Sequence, residues 1–156
     1  MILFWALLIA FATVGLCVIV HYEALRLTSL VIPRLTIPPR PKVLVVIAAV
    51  FLAHLAEIVI FAVTYRLMQP FPQLGEIAGH FSRSAVDYFY FSITSFTTLG
   101  IGDLFPHGAY RIVVGFESLT GFGLIGWSVS FTYLVMQEFW TQHGPRPKRK
   151  IDRDER

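Results

Sequence analysis

Charged residues are nearly absent over residues 1–20, 43–66 and 111–140. A helix on the surface of a soluble domain carries charged and polar residues along its outer face. These stretches carry few charges, and each has the ~20-residue length that crosses ~30 Å of hydrocarbon. They predict three membrane-spanning helices, the third up to ~45 Å long and therefore tilted or projecting. Polar positions collect between and after them, at 21–42, 69–83 and 141–156. Pro33, Pro38, Pro39 and Pro41 forbid a continuous helix across the first of these, although 23–31 keeps an amphipathic spacing. The expected division is an N-terminal transmembrane helix over 1–20, a cytoplasmic basic linker over 21–42, a membrane domain over 43–140, and a cytoplasmic basic tail over 141–156.

Residues 84–97 break this pattern. Ser84 followed by Asp87 is a capping box, and the aromatic run Tyr88, Phe89, Tyr90, Phe91 follows, then Ser92, Thr94, Ser95 and Thr97. A helix of this length reaches only ~21 Å, too short to cross. It is expected to enter the membrane and turn back. Non-helical backbone at that depth is tolerated only when it is buried in protein or lines a water-filled cavity.

Composition sharpens the membrane reading. The chain has 156 residues, 55% hydrophobic, 15% aromatic and 15% charged, against about 25% charged in a soluble domain. The first stretch lacks the Lys or Arg of a signal peptide and continues apolar through Leu16-Cys17-Val18-Ile19-Val20, so it is expected to be retained. Positive charge concentrates at 21–42 (Arg26, Arg34, Arg40, Lys42) and 141–156 (Arg146, Lys148, Arg149, Lys150, Arg153, Arg156). The positive-inside rule places both in the cytoplasm, with the N-terminus outside and 84–97 re-entering from the outer side. The basic balance therefore points to topology and lipid, not to nucleic acid. No span carries regularly spaced arginines, which excludes a voltage sensor.

Directly after the short helix comes Thr97-Thr98-Leu99-Gly100-Ile101-Gly102-Asp103. A cation leaving water needs oxygen ligands in place of its hydration shell. Consecutive backbone carbonyls supply them only if alternate residues take conformations that glycine tolerates best. Gly100 and Gly102 stand at such positions. Carbonyls of Thr98, Leu99, Gly100 and Ile101, with the Thr98 hydroxyl, would hold the ion, while Leu99 and Ile101 pack behind the loop. The C-terminal end of the short helix adds a negative dipole. Asp103 would anchor the loop or concentrate cations at its mouth.

This stretch resembles the pore of potassium channels, T-V-G-Y-G followed by D, with Thr97, Thr98, Gly100, Gly102 and Asp103 matching by position. More narrowly, the chain is similar to small bacterial members of the two-helix ion-channel family that carry an added N-terminal helix. The resemblance implies an all-α membrane protein with an outer helix over 43–66, a pore helix over 84–97, a filter over 98–102 and an inner helix over 111–140. It implies a homotetramer in the bacterial inner membrane with K⁺ at Thr98, Leu99, Gly100 and Ile101. It also implies no catalysis and no cofactor beyond the permeant ion. No soluble ligand domain is expected, because the tail over 141–156 is short. Leu99 and Ile101 replace the family's usual Val and Tyr. Ile101 has no hydroxyl to bond the pore-helix aromatics, whose positions Tyr90 and Phe91 occupy. A weakly selective monovalent cation channel and a non-conducting membrane interaction module are the alternatives.

Other candidates remain open at this level. Gly121, Gly123 and Gly126 match a dinucleotide fingerprint but sit inside a span, so they mark a hinge of the inner helix or a close helix approach. His54 and Glu57 share one helix face in mid-span. They form a polar latch to Ser128, Ser130 or Thr132, a proton sensor, or part of a metal or cofactor site of a membrane enzyme. Glu117 lines the pore or bonds behind the filter.

Overall fold

A computed structural model describes residues 1–143; most of the tail expected over 141–156 lies outside the described residues. The element order is α1 (Ile2–Val31), α2 (Pro39–Met68), β1 (Ile77–Gly79), α3 (Ala85–Phe96), β2 (Leu104–Pro106) and α4 (Tyr110–His143), with short 3₁₀ turns at Ile32–Arg34 and Pro72–Leu74. The fold is therefore almost entirely α-helical. Among the described residues, three helices are long and apolar enough to span a membrane: Ile2–Arg34, Pro41–Met68 and Tyr110–Glu138. α3, at 12 residues, reaches only ~18 Å.

Two boundaries correct the sequence reading. The first helix does not end at residue 20 but runs through Val31, because nothing between His21 and Val31 forbids it and Pro33 is the first true stop. Much of the expected linker over 21–42 is thus helix, and α2 already begins at Pro39, where a proline is tolerated in the first turn. The second correction is the pair of short strands. Ile77–Gly79, within the polar stretch 69–83, pairs antiparallel with Leu104–Pro106, with Ile77 opposite Pro106, Ala78 opposite Phe105 and Gly79 opposite Leu104. A Cβ on Gly79 would lie 2.0 Å from the Asp103 carbonyl oxygen, so only glycine permits this approach. The ladder joins the chain just before α3 to the chain just after the glycine stretch. The segment therefore enters and leaves at one end of the bundle, which makes it re-entrant.

α1, α2 and α4 pack on one another, and α3 is held between α2 and α4. The core where they meet includes Ile58, Phe61, Tyr65, Tyr88, Phe91, Phe96, Tyr110, Val113 and Leu124, all buried. The outward faces carry Phe4, Leu8 and Phe11 on α1, Leu44, Phe51 and Leu52 on α2, and Leu119, Phe122 and Val129 on α4, all exposed in the single chain. Lipid or another apolar protein surface, not water, is the surrounding that such faces suit.

The candidate pore loop

The support of the glycine stretch is local and legible. Ser84 caps α3: its hydroxyl accepts from the Asp87 amide, and the Asp87 carboxylate accepts from the Ser84 amide in return. The same carboxylate accepts from the Ser82 amide at 2.7 Å and from the Ser82 hydroxyl. The Ser82 hydroxyl is the main reason the Asp87 carboxyl is held below its ordinary value of 3.8. A depressed carboxyl stabilises the fold above the ordinary Asp range, and that contribution is lost as pH falls through the lowered value. Asp87→Asn is therefore expected to speed amide hydrogen exchange at the start of α3 severalfold near neutrality. The difference from wild type should close in strong acid.

At its other end α3 passes straight into the glycine stretch. The Thr98 amide donates to the Ser95 carbonyl and the Gly100 amide to the Thr94 carbonyl, each at 3.0 Å. Thr98, Gly100 and Gly102 then take φ of 58°, 51° and 89°. Every second residue is left-handed. Two are glycines and the third is a threonine that bears the strain such a conformation imposes. Alternation of this kind turns successive carbonyls toward one side, the arrangement that cation coordination requires. Leu99 and Ile101 do not pack behind the loop of their own chain as expected; they are 65% and 60% exposed. Tyr90 reaches Asp103 just past the stretch, where the carboxylate accepts from its hydroxyl and raises the Tyr90 pKa. Phe91 is buried against Tyr65 at 5.2 Å between ring centroids. The two aromatics thus divide their work, one bracing the end of the loop and the other filling the core behind it.

Glu117 lies behind α3, fully buried, and lines no open surface of the single chain. Tyr65 donates to Glu117 Oε2 at 2.5 Å. Ser92 Oγ is 2.8 Å from the Ile58 carbonyl and 2.6 Å from Glu117 Oε1. One hydroxyl proton serves only one of these oxygens, so both bonds form when the carboxyl supplies the second proton. Glu117 thereby joins α2, α3 and α4 at one point. Ser118 adds a bond to the Ser95 carbonyl at 2.9 Å. Gly121 packs on the Phe96 carbonyl so closely that a Cβ would lie 2.0 Å away, whereas Gly123 and Gly126 face open space. Close approach explains Gly121; nothing in its packing calls for a hinge.

His54 and Glu57 do meet, with Nδ1 2.9 Å from Oε2. The link to Ser128 runs through His54 Nε2 at 3.0 Å, not from Glu57 directly. His21 is the residue that sequence reasoning missed. It opens the polar stretch 21–42, yet it is buried in α1 and bonds Glu57 Oε1 at 2.8 Å. Its spacing of four from the buried Cys17 on an uninterrupted helix was the available signal.

Residues 43–138, covering α2 through most of α4, match the family model described as "Ion channel". The chain belongs to the two-helix ion-channel family. The matched region contains the short helix and the left-handed stretch, and leaves α1 outside it as an addition. No curated protein and no solved structure matches. Membership sets the chain among ion channels and agrees with its three apolar helices.

Proposed function

We propose that the protein conducts K⁺ passively as a homotetramer, with Thr98, Leu99, Gly100, Ile101 and Gly102 of each copy forming one quarter of a carbonyl-lined selectivity filter. The observation that carries this reading is the alternating left-handed backbone at Thr98, Gly100 and Gly102. The exposed Leu99 and Ile101, and the exposed Leu119 and Phe122 on α4, support assembly, because neighbouring copies would cover them. The basic residues around 26–42 favour the cytoplasmic side, with the N-terminus and the mouth at Asp103 outside. No electrochemical work beyond the ion's own gradient is required.

Uptake of ⁸⁶Rb⁺ into liposomes loaded with K⁺ tests the reading, with ²²Na⁺ as competitor. Rb⁺ should accumulate and Na⁺ should neither enter at a comparable rate nor block. Ile101 gives the second reading its basis, because it has no hydroxyl with which to stiffen the loop. Equal Na⁺ and Rb⁺ entry would make the pore a weakly selective monovalent cation channel.

A further inference from the structure

Away from the glycine stretch, four polar side chains from three helices close a ring in mid-membrane. Glu57 Oε1 meets His21 Nδ1 at 2.8 Å and Glu57 Oε2 meets His54 Nδ1 at 2.9 Å. The far nitrogens of both imidazoles then converge on one hydroxyl: Ser128 Oγ lies 3.3 Å from His21 Nε2 and 3.0 Å from His54 Nε2. His21 comes from α1, His54 and Glu57 from α2, and Ser128 from α4. His21 and Glu57 are wholly buried, and every buried side-chain nitrogen and oxygen among the described residues has a partner.

A closed ring of four hydrogen bonds needs four protons. Ser128 brings one. A carboxylate and two neutral imidazoles bring two more, which leaves one bond without a proton and the ring with a net negative charge. A fourth proton completes the ring, and it does so wherever it rests, on either imidazole or on the carboxyl. The completed ring is also electrically neutral, the condition favoured in a low-dielectric interior. A fifth proton would aim two N–H groups at Ser128 and restore a net charge. We propose that His21, His54, Glu57 and Ser128 form an intramembrane binding site for one exchangeable proton, whose occupancy latches α4 to α1 and α2.

The surroundings suit both exchange and coupling. Among the described residues, Cys17 of α1, whose Sγ lies 3.9 Å from the Glu57 carbonyl oxygen, Trp127 of α4 beside His21, and Phe96 of α3 beside His54 also face the ring. His54 and Ser128 also line a groove of about 440 Å³ between α2 and α4, and His54 is partly exposed there, so protein does not seal the ring on that side. Phe96 is the last residue of α3, adjoining the glycine stretch, and its carbonyl carries Gly121 of α4. The latch thus touches the helix end on which the candidate filter is built. It is complete below the pH at which the fourth proton leaves, and it loses one bond above that pH.

The effect on conduction rests on the channel reading; the proton site itself does not. Glu57→Gln separates the two, because an amide donates to one imidazole and accepts from the other. It closes the same ring with no exchangeable proton and no charge. Ser128→Ala opens the ring instead. Infrared difference spectra of the full chain in liposomes, taken across about pH 5 to 9 to bracket ordinary imidazole titration, read the proton directly. Wild type should show carboxyl and imidazole bands changing together as one proton, and Glu57→Gln should not show that change. Alongside, ⁸⁶Rb⁺ flux should vary with pH in wild type, by at most about tenfold per pH unit for one linked proton, and should be flat in both variants. Infrared bands that do not titrate, that titrate equally in Glu57→Gln, or a stoichiometric metal in the purified protein would overturn the proposal. An intact titration with no flux in any form would uphold the proton site and overturn the channel reading.

Discussion

Gly100→Ala is expected to abolish ion flux while leaving the chain folded. A Cβ at Gly100 meets nothing within 4 Å, so the substitution creates no clash with a neighbour. Its cost comes from the backbone, which holds φ at 51°, and a left-handed L-residue costs roughly 1–2 kcal/mol. The local escape is to rotate into ordinary space, and that rotation swings a carbonyl out of the row. In a tetramer the change occurs in every copy around one axis, so the oxygen cage is lost as a whole. The ⁸⁶Rb⁺ uptake should fall by about a hundredfold or more, to background, on the view that preorganised carbonyl coordination carries conduction. Circular dichroism and the melting temperature should change little. Gly15→Ala in α1 is the control: it too meets open space, but in a helix with ordinary φ, where alanine is preferred. Flux retained in Gly100→Ala would remove the stretch from the conduction path.

The parts of this architecture that were legible in the sequence are those that one segment decides alone. Unbroken apolar length marked three spans, and Ser84 with Asp87 marked the start of α3, because each depends on neighbours a few residues apart. The alternation Thr98, Gly100, Gly102 was readable for the same reason. What was hidden depends on partners brought in from other segments. Charge and proline at 21–42 suggested a linker, yet three of its residues, His21, Leu25 and Thr28, are buried on a continuing helix, and Glu57 of α2 lies across from His21. Helix continuation there is decided by what α2 and α4 present, not by local propensity. The strand pair was equally hidden, since three-residue strands carry no periodicity and exist only because the two ends of a re-entrant segment must meet. Glu117 was undecided for a third reason. A buried acid and a pore-lining acid have the same sequence, and only Tyr65 and Ser92, far away along the chain, distinguish them.

Gly121→Ala should separate close packing from hinge action on α4. Replacing glycine by alanine in a helix interior ordinarily stabilises it by up to ~1 kcal/mol. At Gly121 the new methyl would lie 2.0 Å from the Phe96 carbonyl oxygen and 2.8 Å from its carbon, both backbone atoms that no rotamer change can move. α4 must therefore shift away from the end of α3, and the Ser118 bond to the Ser95 carbonyl, one turn earlier, goes with it. Overpacking of a fitted contact costs typically 1–3 kcal/mol, so the net effect should be a clear loss of thermal stability. Because Phe96 adjoins the glycine stretch, flux should fall as well. Gly126→Ala, which meets nothing within 4 Å on the same helix, should leave the melting temperature unchanged or raise it. A hinge at Gly121 predicts the opposite pairing: undiminished stability, with flux altered through the rates of opening and closing. Melting curves and single-channel records of the two variants, measured side by side, decide between them. If Gly121→Ala melts no lower than Gly126→Ala, the close approach of α4 to Phe96 is not what holds the pore loop in place.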